Sequence, residues 1–318
     1  PWELQTWVNV GNDIQENRNP YDVASRLSKT VAAREEEAYG FNIHYEYYAY
    51  PPLWSIIQYP FYYMSSRESL PFAYGSEPPD SLSVGSNFFL KLPLILFDFI
   101  AAFAIFNILS KLGARRPWAG VWLWLFNPLL IVVSAVWGHF DTVPVCFTLL
   151  AIWALMSKKM LLSGLLLGAA ICLKMYPVIL IPAFLIFAID TVGKKDALMF
   201  ITSTLCSSLL MSLPFVLDSP MAFLSVLLFH GDRIGGGLSL YNLIWIVQPL
   251  FERSPLEFGY QVSQLSFPVM IWGFLVGYGL IYLMGRRSGK PIIFFYYPQH
   301  CLIDIWLIFQ FFLSCLNL

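Results

Sequence analysis

From Phe88 onward the chain is a succession of apolar runs separated by short polar ones, and the runs predict helices. They cover roughly 88–109, 118–136, 142–157, 161–173, 176–190, 197–217, 265–285 and 292–316. Several fall short of the ~20 residues that a helix needs to cross a hydrocarbon layer of about 30 Å. Breaks around 137–141 and 174–177 predict interrupted helices, which a membrane tolerates only where the freed backbone faces protein or a wet cavity. The stretch 220–251 reads as a hairpin or re-entrant segment on one side.

Residues 1–86 follow a different pattern. They hold most of the acidic residues and a tyrosine-rich stretch from His44 to Tyr50. Asp22 is placed to cap a helix over roughly 23–38. Tyr50-Pro51-Pro52-Leu53 must be extended, because each proline pushes its predecessor out of the α region. Trp54, Ile56, Ile57, Phe61 and Met64 then read as a helix too short to span, lying in the interface where Trp and Tyr are favoured. The expected organisation is an outer-face loop region over 1–86 and a transmembrane helical domain over 87–318. The chain begins at Pro1, so an upstream first transmembrane helix is expected to be missing from it.

Lysine and arginine orient the set. One group of loops carries Lys111, Arg115 and Arg116; Lys158 and Lys159; Lys194 and Lys195; and Arg286, Arg287 and Lys290. The alternating loops carry Lys174, Arg233 and Arg253. The first group is therefore cytoplasmic, provided that 220–251 does not cross. Residues 1–86, the Trp137–Asp141 turn, Lys174 and Arg233 then share the outer face.

Composition narrows the class. Of 318 residues, 58% are hydrophobic and 12% charged, about half the charge density of a soluble domain. A soluble enzyme, a disordered chain and a basic nucleic-acid binder are excluded. An all-α polytopic membrane protein remains. The net charge of -1 says nothing about partners. The five cysteines lie in apolar runs without CxxC spacing, so neither a disulfide framework nor a zinc site is suggested.

Polar residues inside apolar runs need a reason, since a charge at bilayer depth costs about 2.5–3.5 kcal/mol. Lys91 and Asp98 are two helical turns apart on one face. They either neutralise a neighbouring helix or set Lys91 near a phosphate at the outer surface. Pro128 loosens the helix that leads to Trp137-Gly138-His139-Phe140-Asp141. His139 and Asp141 there can cap a helix, supply two metal ligands, or line a polar substrate cavity. Lys174 ends a half-helix just before Met175-Tyr176-Pro177, either snorkelling to water or holding a phosphate. Arg233 lies in His230-Gly231-Asp232-Arg233-Ile234-Gly235-Gly236-Gly237. This is either a flexible loop with an Asp232–Arg233 pair or a phosphate fork approached closely by backbone. Glu3, Asp13 and Asp22 are the acidic candidates for a base that activates a hydroxyl.

In order, these features are an acidic residue with an aromatic four later, Asn19-Pro20-Tyr21, and Tyr50-Pro51-Pro52-Leu53. Then come Lys91-Leu92-Pro93 with Asp98, Asn127-Pro128, Trp137–Asp141, the Lys174 break and the Arg233 loop. The whole resembles the GT-C superfamily of integral-membrane glycosyltransferases over roughly residues 3–290. It looks nearest to glycosyltransferase-87-like and mannosyltransferase-like prokaryotic members. It is more distantly similar to the lumenal glucosyltransferases of lipid-linked oligosaccharide synthesis and to the first GPI mannosyltransferase.

The resemblance implies a GT-C-like bundle of about eight transmembrane helices with an outer-face first loop and re-entrant segments. It implies transfer of a hexose, mannose or glucose, from a polyprenyl-phosphate donor to a lipid-linked or cell-envelope acceptor. The transfer is an inverting displacement on the non-cytoplasmic face. It places Glu3 at the family's first-loop Asp, counted back from Trp7 and Gly11, with Glu for Asp as a departure. It places Arg233 and Lys174 near the lipid phosphate, and His139 and Asp141 in a WGQFD-type turn where Gln is commoner than His. Tyr50 and Lys91 join the substrate contacts. No divalent metal or other cofactor is expected. The expected partners are the donor lipid, a lipid or glycan acceptor and membrane lipids, with no nucleic acid. The plasma membrane of a prokaryote is the first expectation for location and the endoplasmic reticulum the second. A secondary transporter or lipid flippase shares the broken helices, and a catalytically inactive GT-C-like subunit shares the motifs. Against the transporter, no internal repeat is visible and the polar groups gather at one face.

Overall fold

Long runs of Leu, Ile, Phe and Ala without polar competition leave the backbone one way to satisfy itself in an apolar medium, which is the helix. The computed structural model describes residues 2–26, 29, 48, 50–66 and 84–225, all within one compact unit, Pro1–Val226. Among the described residues there are helices and no strand.

The order is α1 (Trp2–Gln15), a helical segment over 20–26, α2 (Leu53–Ser66), α3 (Val84–Lys111) and α4 (Pro117–Leu125). A short α5 (Pro128–Leu130) follows and continues as a π-helical stretch, Ile131–Trp137. Then come α6 (Thr142–Met156), α7 (Met160–Ile171), a 3₁₀ turn (Tyr176–Leu180), α8 (Ile181–Thr191) and α9 (Lys194–Asp218). Among the described residues, three stretches are long and apolar enough to cross a membrane: Val84–Lys111, Pro117–Trp137 and Lys194–Asp218. They define a multi-pass membrane protein. The helices expected at 265–285 and 292–316, most of the 220–251 segment and the Arg233 loop lie outside the described residues.

The elements pack in series: α1 on α2, α2 on α3, α3 on α6, α6 on α7 and α7 on α9, with α4 beside α3. The α7–α9 contact is the closest. Gly164 and Gly168, four apart on one face of α7, lie against Phe200, Ser203, Thr204 and Ser207 of α9. A Cβ on Gly164 would collide with Ser203 Oγ and the Phe200 carbonyl. Small residues at this spacing let two backbones approach in lipid, where packing and interhelical hydrogen bonds drive association. Ser207 Oγ accordingly donates to the Leu165 carbonyl at 2.9 Å, and Ser163 Oγ to the Ala151 carbonyl at 2.9 Å. Large apolar side chains point outward along α9, with Leu205, Leu209 and Leu217 exposed, while Ala151, Ala154 and Ala170 are fully buried. This inversion of the water-soluble pattern suits a lipid surround.

Two expectations are corrected. The helix expected from residue 23 under an Asp22 cap begins at residue 20. Asn19 Oδ1 accepts from the Tyr21 amide at 3.0 Å, and Pro20 supplies a preset first helical residue that needs no N–H. Asp22 then stands within the first turn and pairs with Arg26 at 2.8 Å. The single helix expected over 118–136 is three pieces. Pro128 cannot donate to the preceding turn, so Asn127 caps a new start by accepting from the Leu129 amide at 3.0 Å.

Candidate functional site

The site is built where two helix breaks meet. At the first, the π-helical stretch ends on Gly138, which has φ +80°, a left-handed conformation that glycine adopts at no steric cost. The His139 amide bonds back to the Val133 carbonyl at 2.9 Å. His139, Phe140 and Asp141 are thereby set between two helix ends. At the second break α7 ends at Ile171, and the Lys174 amide bonds the Ala170 carbonyl at 3.1 Å. Pro177 then bars a regular continuation.

Lys174 Nζ forms an ion pair with Asp141 Oδ1, and His139 Nδ1 stands 3.1 Å from Asp141 Oδ2. The Asp141 and Lys174 side chains are only 2% and 12% exposed, so their charges answer each other rather than water.

Aromatic rings enclose the pair. Lys174 Nζ lies 5.2 Å from the Phe140 ring centroid and 5.5 Å from that of Tyr50, within cation–π range. Trp54 stacks on Phe140 at 4.7 Å, and Trp7 meets Phe140 edge-on at 5.2 Å. Tyr50 is fixed from both sides. Its carbonyl accepts from Tyr21 Oη at 2.7 Å, and Leu53, just beyond the two prolines, donates its amide to the Cys172 carbonyl at 3.0 Å. The extended Tyr50–Leu53 segment is thus tied to the chain two residues before Lys174. Burial pushes the Tyr48 phenol up to about 12 and that of Tyr21 well above its ordinary value, so neither ionises near neutral pH.

The sequence-predicted residues divide clearly. Tyr50, His139, Asp141 and Lys174 converge. Glu3 lies in the first turn of α1, beside Leu4, whose side chain packs against Gly138. One turn on, Trp7 reaches Phe140, so the start of α1 overlies the Trp137–Asp141 turn. Asp13 is about 15 Å further along the helix. It is fully buried and gripped by Arg18 through Nη2 at 2.9 Å and Nε at 3.1 Å. Asp22 is half-exposed beside Arg26. Lys91 sits next to the turn, donating to the Ala135 and Val136 carbonyls at 2.8 and 3.1 Å. Arg233 lies outside the described residues. Sequence reasoning missed Phe140 and Trp54 as walls of the site. Their only signal was an aromatic inside a polar turn and a tryptophan after a double proline. Among the described residues, no group of three or more His, Cys, Asp or Glu side chains could hold a metal ion.

The fold and site are those of a multi-pass helical membrane protein with a buried ammonium, one carboxylate partner and aromatic walls at a helix break. Comparison with known proteins points to a glycosyltransferase. Residues 80–190, which carry Lys91, His139, Asp141 and Lys174, match the family model described as alpha-(1->6)-mannopyranosyltransferase, N-terminal domain. The chain is also similar to GPI mannosyltransferase 1 of Eremothecium gossypii, 32% identical over 36% of this chain and 28% of that protein. The namesake protein of Candida albicans is 26% identical over 59% of this chain and 52% of that protein. The chain therefore spans about half or less of the length of these curated relatives. No solved structure matches it. These similarities bear out the resemblance to mannosyltransferases read from the residues. The GPI mannosyltransferase likeness, the more distant one by its motifs, is the one these relatives carry.

Proposed function

We propose that this chain is a membrane mannosyltransferase that moves mannose from a polyprenyl-phosphate donor to a lipid-linked acceptor on the non-cytoplasmic face. The observation that carries the reading is the buried Lys174–Asp141–His139 group beside Tyr50, at the junction of two helix breaks. The names of the relatives point to a GPI-type glycolipid as acceptor. In this reading 1–86 is the outer-face region that supplies Glu3 and Tyr50. Residues 87–318 form the rest of a GT-C-like bundle of about eight transmembrane helices.

Glu3 is the base, favoured over Asp13 and Asp22 because the start of α1 overlies the site while Arg18 and Arg26 occupy the other two. Its carboxylate takes the proton of the acceptor hydroxyl. The acceptor oxygen bonds to C1 of the mannose as the C1–O bond to the phosphate breaks, with inversion. The electron pair of that bond leaves on the polyprenyl phosphate. The Lys174 ammonium meets this developing charge. Asp141 holds Lys174 in place before the donor arrives. Tyr50 offers a face to the sugar or the first isoprene unit, and Phe140, stacked on Trp54, backs the wall. A fixed cation does here what a divalent ion would do, so no metal requirement is proposed. The fungal relatives give the prokaryotic plasma membrane no support, and the endoplasmic reticulum is the compartment proposed.

The test is transfer from radiolabelled polyprenyl-phosphate-mannose in proteoliposomes, with EDTA present, for wild type and Lys174→Met. Labelled product lost in the variant supports the reading. Lipid scrambling without product would favour a flippase, and donor binding without turnover an inactive subunit.

A further inference from the structure

Two charged side chains of α3 are unexplained by the proposed chemistry. Lys91 and Asp98 are seven residues apart, two turns, and therefore share one face of the helix. A charge within a transmembrane helix is costly, and these two do not pair with each other. Both instead grip the same neighbour, the π-helical stretch Ile131–Trp137. Asp98 Oδ2 accepts from Ser134 Oγ at 2.7 Å. Lys91 Nζ donates to the carbonyls of Ala135 and Val136 at 2.8 and 3.1 Å. These carbonyls belong to the last turn, where the helix has no amides left to offer them. The stretch leads directly into Gly138, where a Cβ would lie 3.6 Å from Lys91 Cε.

A π-helical turn holds one residue more than an α-helical one, and each such insertion rotates everything after it. Relaxation of Ile131–Trp137 to α-helix would swing Gly138, and with it His139 and Asp141, about the helix axis and away from Lys174. We infer that Lys91 and Asp98 are positioning residues, a clamp that holds the π-helical register and so keeps Asp141 against Lys174. Lys91 acts through the backbone of Ala135 and Val136, not by touching the donor phosphate. The inference rests on the mannosyltransferase reading for its kinetic test and on the geometry alone for its second test.

The kinetic test uses Lys91→Met, Lys91→Arg and Asp98→Leu, alone and combined with Lys174→Met. Met and Leu both remove a charge from a transmembrane helix, which eases insertion, so lost turnover in monodisperse protein is not a folding failure. Lys91→Met should lower kcat on the order of 100-fold, as an ångström-scale misplacement does, with the KM for the donor within about twofold. Lys91→Arg keeps donors for both carbonyls and should recover part of the loss. Lys91→Met should add little in the Lys174→Met background, because both act through one pair. A raised donor KM with losses that multiply would make Lys91 a direct phosphate contact and overturn the inference, as would full activity in Lys91→Met.

The second test needs no turnover. His139→Cys is labelled with a membrane-impermeant maleimide, with and without Lys91→Met, against a background lacking the engineered cysteine. Position 139 is 8% exposed, and loss of the clamp should speed labelling several-fold. Equal rates would overturn the inference. If wild type transfers no mannose but labelling responds, the clamp stands and the proposed function falls.

Discussion

Replacing Asp141 with asparagine tests the centre of the site. The Lys174 side chain is 12% exposed and its ammonium is answered by the Asp141 carboxylate. Removing one member of a buried pair costs about 3–5 kcal/mol, because the remaining charge stays desolvated and unanswered. The rings of Phe140 and Tyr50, at 5.2 and 5.5 Å, each contribute on the order of 2 kcal/mol to a desolvated cation. They do so equally in wild type and variant, so they do not offset the loss. Asp141→Asn should therefore unfold several kcal/mol more easily. The double variant Asp141→Asn with Lys174→Met removes both charges at similar volume, a change that is often neutral for a buried pair. It should recover stability to within about 1 kcal/mol of wild type.

Activity should not follow stability. In the proposed mechanism the double variant has no ammonium for the leaving phosphate. A charge-assisted hydrogen bond of this kind is worth about 1.5–3 kcal/mol, which is about ten- to 150-fold in kcat/KM for the donor. The assay pairs thermal unfolding in detergent, followed by size-exclusion survival, with mannose transfer by the same samples. A double variant as unstable as Asp141→Asn would refute the pair as a charge-compensated unit. A double variant that is stable and fully active would refute Lys174 as a phosphate contact.

Three further outcomes are expected. Glu3→Gln should abolish transfer without changing thermal stability, whereas Asp13→Asn should destabilise by about 1–3 kcal/mol through its buried contact with Arg18 and keep turnover per folded molecule. Gly138→Ala should cost about 1–2 kcal/mol for the left-handed backbone, plus the displacement of Leu4, whose Cδ2 would lie 3.2 Å from the new Cβ; transfer should fall further than stability, because Asp141 moves.

The sequence made the helices legible because their signal is cumulative. Each run of some fifteen apolar residues outvotes any single exception, and the ends at Lys111, Met156 and Asp218 fall close to the expected ones. The two breaks were legible for the opposite reason, since Gly138 and Pro177 act alone and locally. Asn19 and Asp22 show where this fails. Both are good caps, and Pro20 decides between them by fitting only the first helical turn after Asn19. What joins distant segments was not legible. Asp141 and Lys174 are 33 residues apart, and each has bland alternatives until packing brings them together. Lys91 is the clearest case. A long flexible cation at the end of a helix reaches a phosphate or a carbonyl equally well, and only the register of Ile131–Trp137 selects the carbonyls.

The lengths of α6 and α7 carry the remaining step of the functional reading. They have 15 and 12 residues, about 22 and 18 Å at the rise of an α-helix, against a hydrocarbon layer of ~30 Å. They are joined by the turn that holds Lys158 and Lys159, where Lys158 takes a left-handed φ of +56°. In the proposed orientation that turn lies at the cytoplasmic rim. The opposite ends of both helices, and with them Asp141 and Lys174, then stop roughly 8–12 Å short of the outer rim. A solvent-exposed lysine at the rim would bind a phosphate weakly and against screening salt. A recessed one, walled by Tyr50, Phe140 and Trp54, binds it where the field is strong. Recession also suits a donor whose phosphate is anchored to an isoprenoid chain, since the phosphate then reaches the ammonium from the lipid side without leaving its headgroup depth. The short helices are therefore not failed transmembrane segments. Their deficit in length makes room for the site.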